Sequence, residues 1–195
     1  LAAEALANDE PVVWIDCEDT FKPRRLKEIM LARELATEEN VDEKLANVKY
    51  FYTPNTEQLL GTVDSLSKLM LEIHPRIVIL DGAIGQFREE YLGRGTLSER
   101  QNQIARLMTH IKNISFYFRC VVLFTNQVQS DPSVMFGDPI KPIGGNIVAH
   151  ASTYRVYLKK SGKKRIARMI DSPEHEQKDA AYQLTVKGIE DAEKA

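Results

Sequence analysis

Three apolar runs of strand length each end in side chains that can do chemistry. "VVWI" (12–15) leads into Asp16, Glu18 and Asp19, "RIVIL" (76–80) into Asp81, and "CVVLF" (120–124) toward Asn126 and Gln127. An apolar strand ending in one aspartate is the pattern of a magnesium-associated carboxylate in phosphate-loop NTPases. A glutamate one strand over can orient and polarise a water, and a glutamine amide can donate to a phosphate oxygen and so report its presence. Taken singly, each has an ordinary alternative: a carboxylate that caps the following turn. That alternative is the stronger one for Asp16 and Asp19, because Asp19 precedes Thr20 and Phe21, where an Asx-type turn leads into a helix at Pro23. Of the three acids, Glu18 alone stays a catalytic candidate.

These groups need elements to hold them. Strand signals at 12–16, 48–53, 76–81 and 120–127 alternate with helical patterns. Pro23 opens one helix at a position that tolerates proline. Asn55 with Gln58 three residues later is a capping-box signature, and Leu59, Leu60, Val63, Leu66, Leu69, Met70 and Ile73 form one apolar stripe behind it. Thr96 with Glu99 is expected to cap a long helix striped by Leu97, Ile104, Leu107, Met108, Ile111, Ile114 and Phe118. Residues 128–145 carry Asp, Ser, Gly and Pro with little periodicity and read as one long loop. "TYRVYLKK" and "KRIARMID" flank a turn, "AAYQLTV" can add a last strand, and 186–195 read as a charged tail. The expected fold class is α/β, a mostly parallel central sheet flanked by helices with a C-terminal antiparallel hairpin edge. If the strands are parallel, all three polar tips lie on one sheet edge, where such folds bind ligands.

Composition bounds the function. With 195 residues, 43% hydrophobic and 28% charged, the chain reads as one globular domain. A net charge of -2 provides no global basic field, so any nucleic-acid site must be a local patch. The apolar runs are too short for a transmembrane helix, so no membrane partner is expected. Cys17 and Cys120 sit inside apolar runs and read as buried thiols of a reducing compartment, and the four histidines show no metal-ligand spacing. No G-x-x-x-x-G-K-[ST] loop occurs. "LAAEALAND" looks like the back half of a helix, so the expectation is a fragment whose phosphate loop lies just upstream. As it stands, the chain is expected to bind ATP very weakly.

"FREEYLGRGTLSERQ" (87–101), "TNQVQ" (125–129), "DPIKPIGGNIVAHASTYRVYLKK" (138–160) and "RIARMIDSP" (165–173) closely resemble segments of the archaeal RadA recombinases, relatives of bacterial RecA. The likeness runs from about Val12 to Asp191, and its most specific parts are "GRGTLSERQ" and "GGNIVAHAST". It implies a RecA-like core over 1–195, polymerising as a filament or ring on single-stranded DNA, pairing it with double-stranded DNA, and using ATP and Mg2+, with K+ a further expectation. A cytoplasmic, nucleoid-associated location follows from the same resemblance.

Carried over by position, Glu18 resembles the water-activating glutamate, Asp81 the magnesium-associated aspartate, and Gln127 the link from γ-phosphate to a DNA-binding loop. Arg25 would stack on adenine, His150 would sense ATP across a subunit interface, and Asp171 would begin a cap over the neighbour's nucleotide. Arg88, Tyr91, Arg94 and Arg100 would form the first DNA-binding segment. Residues 128–145, with Gln129 and closing on Gly144, Gly145 and Asn146, would form the second. Without the resemblance, Arg88 and Arg94 read as loop charge paired with Glu89 and Glu90, Tyr91 as core packing, and His150 as a satisfied buried histidine. Gly82 stands where the family commonly has serine, and Gln177 where many relatives have an acid that helps hold a cation. Two readings stay open at this point: a recombinase ATPase core, and a catalytically inactive relative acting as a regulatory or binding module.

Overall fold

The computed structural model describes residues 1–93, 95–130, 140–162 and 164–192. Continuous apolar runs become a parallel sheet whose central strands are covered by helices on both faces. The strands are β1 (Val12–Asp16), β2 (Val48–Tyr52), β3 (Ile77–Asp81) and β4 (Val121–Phe124), in the order β2-β1-β3-β4. Their parallel register sets Asp16 level with Asp81. The carboxyl ends of β1, β3 and β4 therefore share one edge of the sheet, as the alternation predicts.

One face of the sheet is covered by α4 (Thr56–Ile73) and α6 (Leu97–Phe118), whose stripes interlock over Val13, Ile15, Val78 and Leu80. Leu59, Val63, Leu66, Met70, Ile104, Leu107, Met108, Ile111 and Ile114 are all buried, as their spacing implies. Leu97, counted in the same stripe, is exposed, because it stands in the first turn of α6. The other face carries α1 (Ala2–Ala7), α2 (Pro23–Ala32) and α3 (Val41–Leu45), packed through Leu6, Leu26, Met30 and Val41 on Val12, Ile77 and Ile79. Each fully buried aliphatic side chain of this kind contributes about 1.5–3 kcal/mol.

Several elements were not legible in the sequence pattern. Short helices form at α5 (Gly85–Glu90) and α7 (Gly145–Ala151). The ends of the expected 128–145 loop zip together as β5 (Val128–Ser130) and β6 (Ile140–Pro142), with Val128 opposite Pro142. The late strands β7 (Arg155–Ser161), β8 (Lys164–Asp171), β9 (Asp179–Thr185) and β10 (Gly188–Asp191) form their own antiparallel sheet in the order β10-β9-β8-β7. Residues 188–191, expected within a charged tail, are thus an edge strand, held because Gly188 turns at φ 89° and lets β10 fold back onto β9.

This second sheet is fastened to α2 by two arginines. Arg25 donates to the carbonyls of Thr185 (2.5 Å) and Val186 (3.2 Å), and Arg33 donates to those of Lys187 (2.6 Å) and Ile189 (2.8 Å). The open edge of β4 leaves Val121 and Leu123 exposed among the described residues.

Candidate functional site

The tip of β1 is shaped by Asp16. Its carboxylate is buried and accepts the backbone N–H groups of Glu18 (3.0 Å) and Phe21 (2.8 Å), and the Tyr50 hydroxyl at 3.3 Å. Burial pushes the Asp16 carboxyl up, but the backbone donors and Tyr50 outweigh it and leave its pKa below the ordinary carboxylate value. The turn expected at Asp19 is therefore made by Asp16; Asp19 sits within it at φ 56°. With the loop held in this way, Glu18 projects into solvent at the sheet edge.

Glu18 does not stand alone. Gln127, beyond the end of β4, donates its amide to Glu18 Oε1 at 2.8 Å. Between them, Gly82 follows Asp81 at φ 78°, and a Cβ there would come within 2.5 Å of Glu18 Cγ. A glycine is what lets the glutamate lie against the tip of β3. Asp81 accepts the Thr125 hydroxyl at 2.7 Å on one oxygen and the Thr20 hydroxyl at 3.4 Å on the other. Thr125 also takes the Gly82 N–H at 2.8 Å, so it fixes both the acid and the turn behind it. Sequence reasoning overlooks Thr125 and Thr20, although a threonine directly before Asn126-Gln127 at a strand tip is the available signal. It also overlooks Gln86, whose buried amide donates to the carbonyls of Cys17 (3.2 Å) and Thr53 (2.5 Å) and ties the tips of β1 and β2 together. Cys17 is buried beside Thr53, and burial pushes its thiol up to about 11.

A second group of predicted residues converges a short distance along the chain. A cavity of about 420 Å³ is lined by Arg88 of α5, Arg100 of α6, Gln129 of β5, and Gly144, Gly145 and Asn146 at the start of α7. Lys141 and Arg155 complete its cationic wall, and among the described residues no Asp or Glu lines it. Gly144, at φ 86°, is forced by close packing: a Cβ would meet Val148 at 2.4 Å. Asn126 donates to the Ile143 carbonyl at 2.7 Å, next to the paired strands β5 and β6. Gln127 at the tip and Gln129 in the cleft are two residues apart on one segment.

Other predicted residues lie elsewhere. The Tyr91 ring is half-buried against Phe87, with centroids 6.5 Å apart, and lines no part of the cleft. Arg94 falls outside the described residues, as do 131–139 of the second segment. Arg25 is engaged by the β9–β10 carbonyls described above, and Asp171 pairs with Arg155 at 2.8 Å. His150 is exposed near the end of α7 rather than buried. The pairing of Arg88 with Glu90 is also replaced: Glu90 caps α4, accepting the Thr56 N–H at 2.8 Å and the Thr56 hydroxyl.

The Rad51 family profile matches residues 1–192. The chain belongs to the Rad51 family. It is similar to a DNA repair and recombination protein RadA of Cenarchaeum symbiosum, 40% identical over 183 residues that cover 93% of this chain and 45% of the relative. A protein of the same name from Methanocorpusculum labreanum is 39% identical over 189 residues, 91% of this chain and 57% of the relative. The chain therefore spans about half the length of these curated relatives. No helix among the described residues is long and apolar enough to cross a membrane.

Proposed function

We propose that this Rad51-family chain is the core of a recombination ATPase that binds single-stranded DNA in its cationic cleft, assembles with copies of itself as a filament or ring, and pairs the bound strand with duplex DNA. The observation that carries the reading is the Gln127–Glu18 hydrogen bond at 2.8 Å. It joins a candidate water-polarising acid to a segment that enters the cleft two residues later.

The residues present fit an ATP–magnesium pair. Among the described residues no cluster of three or more His, Cys, Asp or Glu side chains could cage a metal. A single half-buried carboxylate, Asp81, instead stands at the strand tip with both oxygens oriented by threonine hydroxyls. That suits magnesium, which keeps several waters and leans on one or two carboxylates plus substrate phosphates. When bound, ATP with Mg2+ supplies an activated phosphoryl group. Glu18 would then hold and polarise the attacking water, and Gln127 would give up Glu18 to donate to a phosphate oxygen. That shift of Gln127 would be passed to Gln129 along the backbone. The phosphate-binding loop itself would come from a further segment, and the open edge of β4 is where an added parallel strand would bring such a loop to the same tip. Potassium draws no support from Gln177, whose amide nitrogen donates to the Ile170 carbonyl at 3.1 Å.

The test is Glu18→Gln in a chain completed with a phosphate-binding loop. ATP binding should be retained and DNA-stimulated hydrolysis should fall by about 100-fold or more. Normal turnover in that variant removes Glu18 from the mechanism. A core with this function would act in the cytoplasm, with the nucleoid.

A further inference from the structure

Sequence reasoning passes over Arg155, yet the fold treats it unusually. From Val156 to Ser161, β7 pairs with β8 in regular register, but between Val156 and Arg155 the register shifts, so that Arg155 faces Asp171 and Ile170 is the extra residue. A bulge of this kind turns a side chain away from the direction the pleat would give it. Here it is held in place, because the freed Ile170 carbonyl accepts the Gln177 amide at 3.1 Å. The bulge lies on β8 and brings Asp171 opposite Arg155, which itself keeps the regular alternation of β7 and lines the wall of the cleft that also carries Arg88, Arg100, Gln129 and Asn146.

Its present bonding is incomplete. One terminal nitrogen donates to Asp171 Oδ2 at 2.8 Å, while Nε is buried with no partner. A buried donor left unpaired disfavours that posture. The ion pair is also 32% and 51% exposed at its two side chains, so solvent screens it and it grips the arginine weakly. Arg155 also lines a cavity that, among the described residues, carries Arg88, Arg100 and Lys141 and no acid.

We propose that Arg155 is a phosphate-binding residue of the cleft, and that its guanidinium is exchanged between Asp171 and a nucleic-acid phosphate. This rests on the reading of the cleft as a DNA site. A planar guanidinium released from Asp171 can present Nε and one terminal nitrogen to a phosphate as a fork, which satisfies the donor now left unpaired. Asp171 is then a competitor of DNA for the same cation. By reciprocity, whatever engages the Asp171 carboxylate from outside strengthens DNA binding by the same factor that DNA strengthens its own binding.

The experiment is fluorescence anisotropy of a labelled oligothymidylate titrated with the full chain across a series of potassium chloride concentrations. Loss of one single-strand phosphate contact in Arg155→Gln should flatten the log affinity against log salt slope by about 0.7 and lower affinity about fivefold near 0.1 M salt. Asp171→Asn frees Arg155 and should raise affinity about two- to fivefold, a direction that no folding defect produces. An unchanged slope in Arg155→Gln, with Arg100→Ala flattened, overturns this inference while sparing the DNA reading. Unchanged or weaker binding by Asp171→Asn overturns the exchange. Salt-independent or absent binding by the unsubstituted chain overturns the DNA reading and the inference together.

Discussion

The cap on α4 offers a test that needs no assumption about function. The first turn of α4 has two donors satisfied from outside the helix: the Asn55 side chain accepts the Gln58 N–H at 2.9 Å, and Glu90 accepts the Thr56 N–H at 2.8 Å. Glu90 also accepts the hydroxyl of Thr56, a residue only 3% exposed. Glu90→Ala removes a charged acceptor from a helix N-terminus and strands both Thr56 donors. Losing a cap of this kind costs about 1–2 kcal/mol. For a chain of this size that corresponds to a fall in Tm of about 3–6 °C. Urea denaturation of Glu90→Ala, Thr56→Val and the double variant gives the coupling between the two side chains, expected at about 0.5–1.5 kcal/mol. If Glu90 were instead a surface acid paired with Arg88, its removal would change stability by less than about 0.5 kcal/mol. A coupling to Thr56 near zero, or coupling of Glu90 to Arg88 in its place, refutes the cap.

Gly82→Ala should displace Glu18, since its Cβ would fall 2.5–2.7 Å from three Glu18 atoms, and should add about 1–2 kcal/mol of backbone strain at positive φ; a crystal structure of the variant that keeps the Glu18–Gln127 bond would contradict this. Cys17, whose thiol is pushed up to about 11 by burial, should resist a thiol reagent near pH 8 in the folded protein and react at once in denaturant. Fast labelling of native Cys17 would show that this tip opens. Asp16 has a folded pKa below its unfolded one, so its contribution to stability is complete above the unfolded value and is lost as pH falls through the lowered value. The stability gap between the unsubstituted chain and Asp16→Asn should therefore narrow as pH drops below about 4. A gap that widens there would reverse the assignment.

How much of this was legible depended on the range of the interaction involved. The parallel strands and the stripes of α4 and α6 follow from local runs and 3.6-residue spacing, although the strand expected over 120–127 ends at Phe124, where the polar tip begins. The three polar tips were also legible, because their meeting needs only parallel strands. What failed was specified at a distance. Glu90 seemed a partner for its neighbour Arg88, yet its acceptors face Thr56, 34 residues away. Thr96 is a local exception: it has the type and spacing of a cap for α6, yet its hydroxyl donates back to the carbonyls of Leu92 and Gly93. Asp16 and Asp19 were equally plausible turn formers by type, and only burial beside Tyr50 selects Asp16. The late strands were recognised singly, but nothing in their alternation says that they form a separate sheet. The contacts that hold this sheet to α2 run through Arg25 and Arg33 to main-chain carbonyls, which leave no trace in side-chain spacing.

A cleft that holds a DNA backbone and is coupled to the Glu18–Gln127 tip is the feature on which the proposed function depends. Its most direct test is the salt dependence of oligothymidylate binding by the full chain against Arg88→Ala/Arg100→Ala. Removal of two phosphate contacts should flatten the log–log slope by about 1.4, since each single-strand contact contributes about 0.7. A slope that stays the same in the double variant would place DNA elsewhere and contradict the account.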